Sequence, residues 1–408
     1  MANNRGGKDK GQRQGMGDRS GLGRLRRANI KNPTRLGNLT RLSEDEDYLA
    51  LQEGTQRSSH TGVSLLAKFN RLSALSKDRD NDLPTIRGEV CGFEGTQVTV
   101  RCENGEEHAC QVRRRLKKML RGEKSPLAVG DRVEVTQVSE GDWVVECVLP
   151  RSNQLERRDS HNSSLSHVFA ANVDCLVIVA AIEDPCIKTG LIDRYLLIAH
   201  LAEVAAVIVF NKSDLGDTQP YDQLYRQLGY PTFSTQADRA QGDIAALRDF
   251  LKGKACVFAG MSGVGKSSLI NACYPHFAAR IGVVSSSLHK GRHTTTSSRS
   301  YPLADGSRLI DTPGIRELGV TFPSALDAAL HYPDIAVLHQ HCHFPNCSHT
   351  HEPDCAIKQA VRQGSIARSR YASYLALLEN DLGLDVSSAR QELDIAGDEG
   401  GIAGIETD

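Results

Sequence analysis

Hydrophobic and polar positions alternate in two rhythms along this chain, and the change of rhythm divides it. Between residues 85 and 149 the rhythm is short. Ile86-Arg87-Gly88-Glu89-Val90, Gln97-Val98-Thr99-Val100-Arg101 and His108-Ala109-Cys110-Gln111-Val112 follow the two-residue period of half-buried strands. Glu103-Asn104-Gly105 supplies turn chemistry between them, and the stretches 130–135 and 143–148 complete about five strands. Five short strands in so little chain predict a small all-β barrel, an OB-fold. From residue 174 the apolar runs become continuous, at 174–182, 205–210 and 255–259, as in strands buried on both faces. Helical spacing at 191–204 and 243–251 separates these runs and predicts a doubly wound α/β sheet. Residues 356–382 read as helical. Residues 1–60 show no apolar period and are expected to be disordered. The segment 61–84 has some helical spacing (Leu65, Leu66, Phe69, Leu72, Leu75) and ends in a charged run that reads as a linker.

Composition and charge alter this picture at the ends. The chain has 408 residues and a net charge of −1. That balance conceals a basic arm, with eleven Lys/Arg and two Asp in residues 1–41, and an acidic tail, with six acidic residues and no basic one from Glu392 onward. A basic arm on a near-neutral body suggests a polyanionic partner. The tail, 383–408, is expected to be mobile. Eleven cysteines without an apolar leader point to a reducing cytoplasm. No long uncharged apolar stretch suggests a membrane span, and a monomer is expected.

The chemistry is concentrated in four places. Gly260-Met261-Ser262-Gly263-Val264-Gly265-Lys266-Ser267 fits G-x-x-x-x-G-K-[ST] and lies between an apolar strand and a helix start that includes Ser268. Glycines let backbone N–H groups face a polyphosphate; Lys266 would reach the β- and γ-phosphates and Ser267 would ligate Mg²⁺. Asn211-Lys212-Ser213-Asp214 follows a buried strand and matches NKxD. An aspartate there accepts from guanine N1–H and the exocyclic amine, a donor pair that adenine lacks. Asp311-Thr312-Pro313-Gly314 matches DxxG: Asp311 would hold Mg²⁺ through water and the Gly314 amide would sense the γ-phosphate. One hydroxyl of the loop Gly291-Arg292-His293-Thr294-Thr295-Thr296, from Thr296 or Thr295, would complete the metal shell. Ile315, after DxxG, cannot orient a hydrolytic water, so turnover is expected to need a partner; His293 is a catalytic candidate on chemical grounds.

The motif order is NKxD, phosphate loop, DxxG, whereas ordinary GTPases place NKxD last. We read this as a circular permutation, with the old ends joined between residues 234 and 254. The fourth place is 342–355, where Cys342, Cys347, His349 and Cys355 make the best tetrahedral zinc set. Three thiolates and an imidazole leave no open position, so the zinc is structural; His339, His341, His343 and His351 are competing nitrogens. In the barrel, Arg113, Arg114, Arg115, Lys117, Lys118 and Arg121 connect the third and fourth strands and are candidates for RNA phosphates.

Barrel, permuted GTPase motifs and Cys/His segment, in this order over about residues 85–380, resemble the circularly permuted small-ribosomal-subunit biogenesis GTPases (RsgA/YjeQ). The resemblance implies a late-maturation factor of the small (30S) ribosomal subunit. Such a factor binds rRNA, hydrolyses GTP when the subunit stimulates it, and carries Mg²⁺ and one structural zinc. The expected division is a basic arm 1–60, linker 61–84, OB-fold 85–150, GTPase domain 160–325, zinc-binding helical domain 326–382 and acidic tail 383–408. Barrel and zinc domain would grip RNA, with the angle between them set by the nucleotide. The rival readings are a nucleotide-gated RNA-binding scaffold with negligible turnover and a general ATPase or kinase.

Overall fold

The computed structural model describes residues 65–76, 83–119, 127–158, 166–275, 298–311 and 322–395. The alternating segments close into a barrel of β1 (Ile86–Glu94), β2 (Gln97–Cys102), β3 (Glu107–Val112), β4 (Arg132–Ser139) and β5 (Asp142–Val148). Its order is β1-β2-β3-β5-β4 with β4 returning to β1, antiparallel except for β3 beside β5. This is the OB-fold arrangement the short rhythm predicts. Val98 and Val100 of β2 and Val133 and Val135 of β4 fill the interior, two residues apart as the pleat requires.

Part of the expected linker belongs to this core. Helix α1 (Leu65–Leu75) buries Phe69 among the barrel valines, and the Arg151 guanidinium lies 3.4 Å from the centre of its ring. The basic connection after β3 is a short helix, α2 (Arg114–Met119), anchored by buried Leu116. Residues 150–158, read as a connector, include β6 (Gln154–Arg158), which pairs with β7 (Ser166–Ala171). Charges at Arg157 and Arg158 hid that strand from the apolar pattern. The hairpin meets the barrel at Gly130, where an added Cβ would lie 2.1 Å from the Ala171 carbonyl oxygen. Beside it the Arg151–Asp131 pair, at 2.7 and 2.8 Å, is wholly buried.

The continuous apolar runs form a seven-stranded sheet, ordered β11-β10-β9-β8-β12-β14-β13. Its strands are β8 (Cys175–Ala181), β9 (Ala205–Asn211), β10 (Thr232–Gln236), β11 (Gln241–Gly242), β12 (Ala255–Ala259), β13 (Arg299–Pro302) and β14 (Arg308–Asp311). The chain builds outward from β8 through β9 to β10. It then returns to lay β12 on the other flank of β8 and builds outward again through β14. This reversal between β8 and β12 is the topological switch point, where open α/β sheets bind ligands. The join between β10 and β12 runs through α5 (Ile244–Leu251), inside the interval where the permutation places the old ends.

Alternate residues of β8 face opposite cores. Cys175, Val177 and Val179 pack toward α5 and α6 (Lys266–Cys273). Leu176 and Ile178 pack toward α3 (Thr189–Leu201), α4 (Gln219–Gln227) and the C-terminal helices. Those helices are α7 (Ala325–Leu330), α8 (Pro333–His339), α9 (Ala356–Arg362), α10 (Arg368–Leu382) and α11 (Ser387–Glu392). Their apolar side chains, including Tyr374 and Leu378, are continuous with the sheet core. At the seam Arg370 of α10 lies 2.6 Å from Asp193 of α3 and 3.0 Å from Asp334 of α8. The acidic tail is folded as far as Ile395: Val386, Ala389 and Leu393 are buried, and Glu392 pairs with Lys358 and Arg362. Among the described residues no helix is long and apolar enough to cross a membrane.

Candidate functional site

The phosphate-loop motif occupies the strand–turn–helix it requires, between β12 and α6. Two of its glycines are sterically obligatory. Gly260 has φ +145° and Gly265 φ +89°; a Cβ would lie 2.2 Å from Val179 O at the first and 2.2 Å from Asn211 Nδ2 at the second. Val264 is buried in the core under α6, while Ser262 and Gly263 are exposed at the tip. The Lys266 amine donates to Gly260 O (3.0 Å) and Met261 O (2.7 Å), so the loop curls around a cation. Ser267 and Ser268 are exposed in the first turn of α6, where unpaired amides favour an anion.

Asn211-Lys212-Ser213-Asp214 leaves the C-terminal end of β9, parallel to β8 and β12 and therefore on the same sheet edge. Asn211 is buried and joins three segments. Its amide donates to Val264 O at 2.9 Å; its oxygen accepts from the Ala237 N–H at 3.0 Å and the Thr235 hydroxyl at 3.1 Å. The Ser213 N–H donates to Thr235 O at 3.1 Å. The sequence reading did not single out residues 235–237, at the end of β10; nothing in their residue types marks them, and only strand pairing brings them here. Lys212, at φ +57°, donates to the Asp184 carbonyl and lies 3.7 Å from that residue's carboxylate. The Asp214 carboxylate sits 3.6 Å from Arg239. Asp311 ends β14, next to β12, and is exposed. A crevice lined by Ala181, Pro185, Ile187, Gly260, Met261 and Val264 runs along this edge. His293, Thr295, Thr296, Gly314 and Ile315 lie outside the described residues.

The glycine cradle, the central amine and the exposed serine hydroxyls fit a triphosphate with its divalent cation. The sequence reading thus places Asn211 to Asp214, Gly260 to Ser268 and Asp311 on one edge, and the structure brings all of them there.

The Cys/His cluster lies in the C-terminal helical region. Ligand atoms of Cys342, Cys347, His349 and Cys355 all fall within 4.8 Å of one another. Cys342 Sγ is 3.6 Å and Cys355 Sγ 3.4 Å from His349 Nδ1, and the two sulfurs are 4.0 Å apart. Tetrahedral zinc with bonds of about 2.0–2.3 Å needs ligand separations of roughly 3.5–3.8 Å, so the group is suited to a zinc ion. Burial pushes the Cys347 and Cys355 thiols up, so thiolates here require a cation beside them. Burial, then neighbouring His339, holds the His349 imidazole down to about 4, the neutral ligand form. The four competing histidines, His339, His341, His343 and His351, stay outside the group. His339 is its neighbour, bonded through Nδ1 to His349 Nε2 at 3.1 Å.

Of the basic candidates on the barrel, Arg113 is held by Glu146 at 2.8 and 2.5 Å. Arg114 and Lys117 are exposed on α2, Arg115 is half-buried, and Lys118 lies on the same helix. Arg121 is outside the described residues.

Known proteins share this architecture. The RsgA GTPase family model matches residues 148–321. The small ribosomal subunit biogenesis GTPase RsgA of Porphyromonas gingivalis is 41% identical over 307 residues, covering 72% of this chain and 96% of that protein. Its counterpart in Thermotoga petrophila is 37% identical over 304 residues, covering 73% and 97%. Among solved structures, YjeQ from Thermotoga maritima superposes with a TM-score of 0.60 at 33% identity, covering 74% of this chain and all of that one. YloQ, described as a circularly permuted GTPase, gives 0.56 at 26% identity, covering 75% and 98%. With its switch-point phosphate loop, permuted motif order and Cys₃His group, this chain belongs to the RsgA family of ribosome biogenesis GTPases.

Proposed function

We propose that this GTPase acts in late maturation of the small (30S) ribosomal subunit, binding rRNA and hydrolysing GTP to GDP and phosphate when the subunit stimulates it. The observation that carries the reading is the Asn211 bridge. It locks the guanine motif to the phosphate loop, so one nucleotide can span both. Asp214 accepts from the guanine edge, Lys212 lies along the base, and the amides of Gly260 to Ser268 hold the phosphates beside Lys266. Ser267, Asp311 through water, and Thr296 or Thr295 would hold Mg²⁺, and the Gly314 amide would sense the γ-phosphate. That cation, when bound, neutralises developing phosphate charge. The exposed charges Arg114 and Lys117, and with them Arg113, Arg115, Lys118 and Arg121, are the proposed RNA contacts on the barrel. The relatives' description as small-subunit biogenesis factors supports that partner.

GTP turnover titrated with purified small subunits tests this. Turnover should be slow alone and rise at least tenfold with subunits. Equal rates with and without them would leave the scaffold reading standing. Asp214→Asn should lower GTP affinity and relax discrimination against other nucleotides; unchanged selectivity would remove the guanine assignment.

A further inference from the structure

The zinc-suited cluster contains a polar relay that the four ligands alone do not explain. His339, the last residue of α8, is in hydrogen-bond contact through both ring nitrogens. Nε2 lies 3.1 Å from the Pro345 carbonyl oxygen, and Nδ1 lies 3.1 Å from His349 Nε2. A carbonyl only accepts, so His339 Nε2 must carry a proton. In a neutral ring Nδ1 is then bare and must accept, so His349 Nε2 must carry the proton it donates. That leaves His349 Nδ1 bare, and Nδ1 is the atom 3.6 and 3.4 Å from the Cys342 and Cys355 sulfurs. One backbone oxygen thus sets four nitrogens in sequence, the last with its lone pair aimed into the cluster. The rings meet nearly edge to face, 84° apart with centroids at 5.1 Å, which holds His349 in this orientation.

We propose that His339 is a positioning residue for the metal: it selects the His349 tautomer that ligates through Nδ1. It is not itself a ligand. Its role follows from direction as well as distance, since reversing the bond between His339 and His349 would put a proton on His349 Nδ1 facing the sulfurs. Pro345 lies between Cys342 and Cys347, so the relay also ties the loop carrying two thiols to the end of α8. His349 is wholly buried, so water cannot replace the acceptor that His339 provides. His341, His343 and His351, equally suited by residue type, take no part in the relay.

Two variants and one spectrum test this on the full chain. His339→Phe keeps a ring and removes the acceptor; His339→Asn restores an acceptor near the position of Nδ1. Zinc affinity, measured by competition with a chromophoric chelator, should fall about 10–100-fold in the Phe variant and recover in large part in the Asn variant. Long-range ¹H–¹⁵N correlation on histidine-labelled, zinc-loaded wild type should show His349 protonated on Nε2 with zinc on Nδ1. His339 should be protonated on Nε2. Wild-type affinity in the Phe variant, equal loss in both variants, or zinc on His349 Nε2 would overturn the assignment. The wild-type spectrum decides the matter if the Phe variant does not fold.

Discussion

At the residue scale, the site depends on atoms that have no room to change. Gly265 combines a left-handed backbone with the Asn211 amide where its Cβ would be. Gly265→Ala should therefore lower GTP affinity more than tenfold while circular dichroism stays unchanged. A fluorescent-nucleotide titration reads this, and wild-type affinity would show that the cradle tolerates a side chain. Asn211→Ala strands the Val264 carbonyl and the Ala237 N–H; stability should fall by about 1–3 kcal/mol in urea unfolding. Glu352 yields a pH prediction. Burial pushes its carboxyl up, but hydrogen bonds from the Ser348 amide and hydroxyl outweigh this and hold it at about 2, against an ordinary 4.5. The folded value is depressed, so the stability Glu352 contributes is present above its unfolded value and is lost as pH falls from there toward 2. Glu352→Gln should flatten that part of the acid limb in urea midpoints, and an unaltered limb would count against the assignment. The motif residues were legible because their chemistry dictates spacing. The end of β10 at 235–237 and Arg239 were not, because their positions come from strand pairing.

At the element scale, the rhythms translated directly where one face is buried. The five barrel strands and the run 255–259 lie where the pattern puts them. Errors arose where packing overrides composition. The segment 61–84 has helical spacing but reads as a linker from its charged end, yet buried Phe69 docks α1 onto the barrel. Phe69→Ala should destabilise by about 3–5 kcal/mol, the usual cost of emptying an aromatic core site. β6 escapes the apolar pattern because Glu156, Arg157 and Arg158 interrupt it in the sequence. The seam between α3 and α10 was equally invisible, since Asp193 and Arg370 are 177 positions apart. Arg370→Met alone leaves Asp193 buried without its partner and should cost about 3–5 kcal/mol; pairing it with Asp193→Leu should restore much of the loss. Thermal unfolding of the two variants distinguishes a needed charge pair from a needed shape.

At the scale of the whole molecule, the C-terminal helices share one apolar core with the sheet. Rotating the Cys₃His region would open that core and break the Arg370 pairs. The barrel meets the sheet through Val129 and Phe93, which pack into that core, and through Arg308 with Glu89. Arg308 opens the strand that ends in Asp311. A nucleotide-dependent change of angle is therefore expected between barrel and sheet. Spin labels on the barrel and on α10 should change separation when a non-hydrolysable GTP analogue binds, while sheet-to-α10 distances stay fixed. Metal removal should act locally: chelation is expected to loosen 342–355 in hydrogen exchange before the sheet opens, and simultaneous loss of both would contradict this.

The sequence by itself determined the chemistry on offer: which groups suit a phosphate, which ones match a guanine motif, which thiols gather around an imidazole. Those properties reside in residue type and short spacing, and the motif order alone exposed the permutation. The tertiary structure decided how these pieces meet. It brought Asn211 under Val264 across 53 residues, laid β12 against β8 to create the binding edge, and fused the C-terminal helices to the sheet. It also set His349, the imidazole that the spacing favours, among the thiols and placed His339 beside it. Such choices rest on burial and on hydrogen-bond direction between distant segments, and no local pattern carries that information.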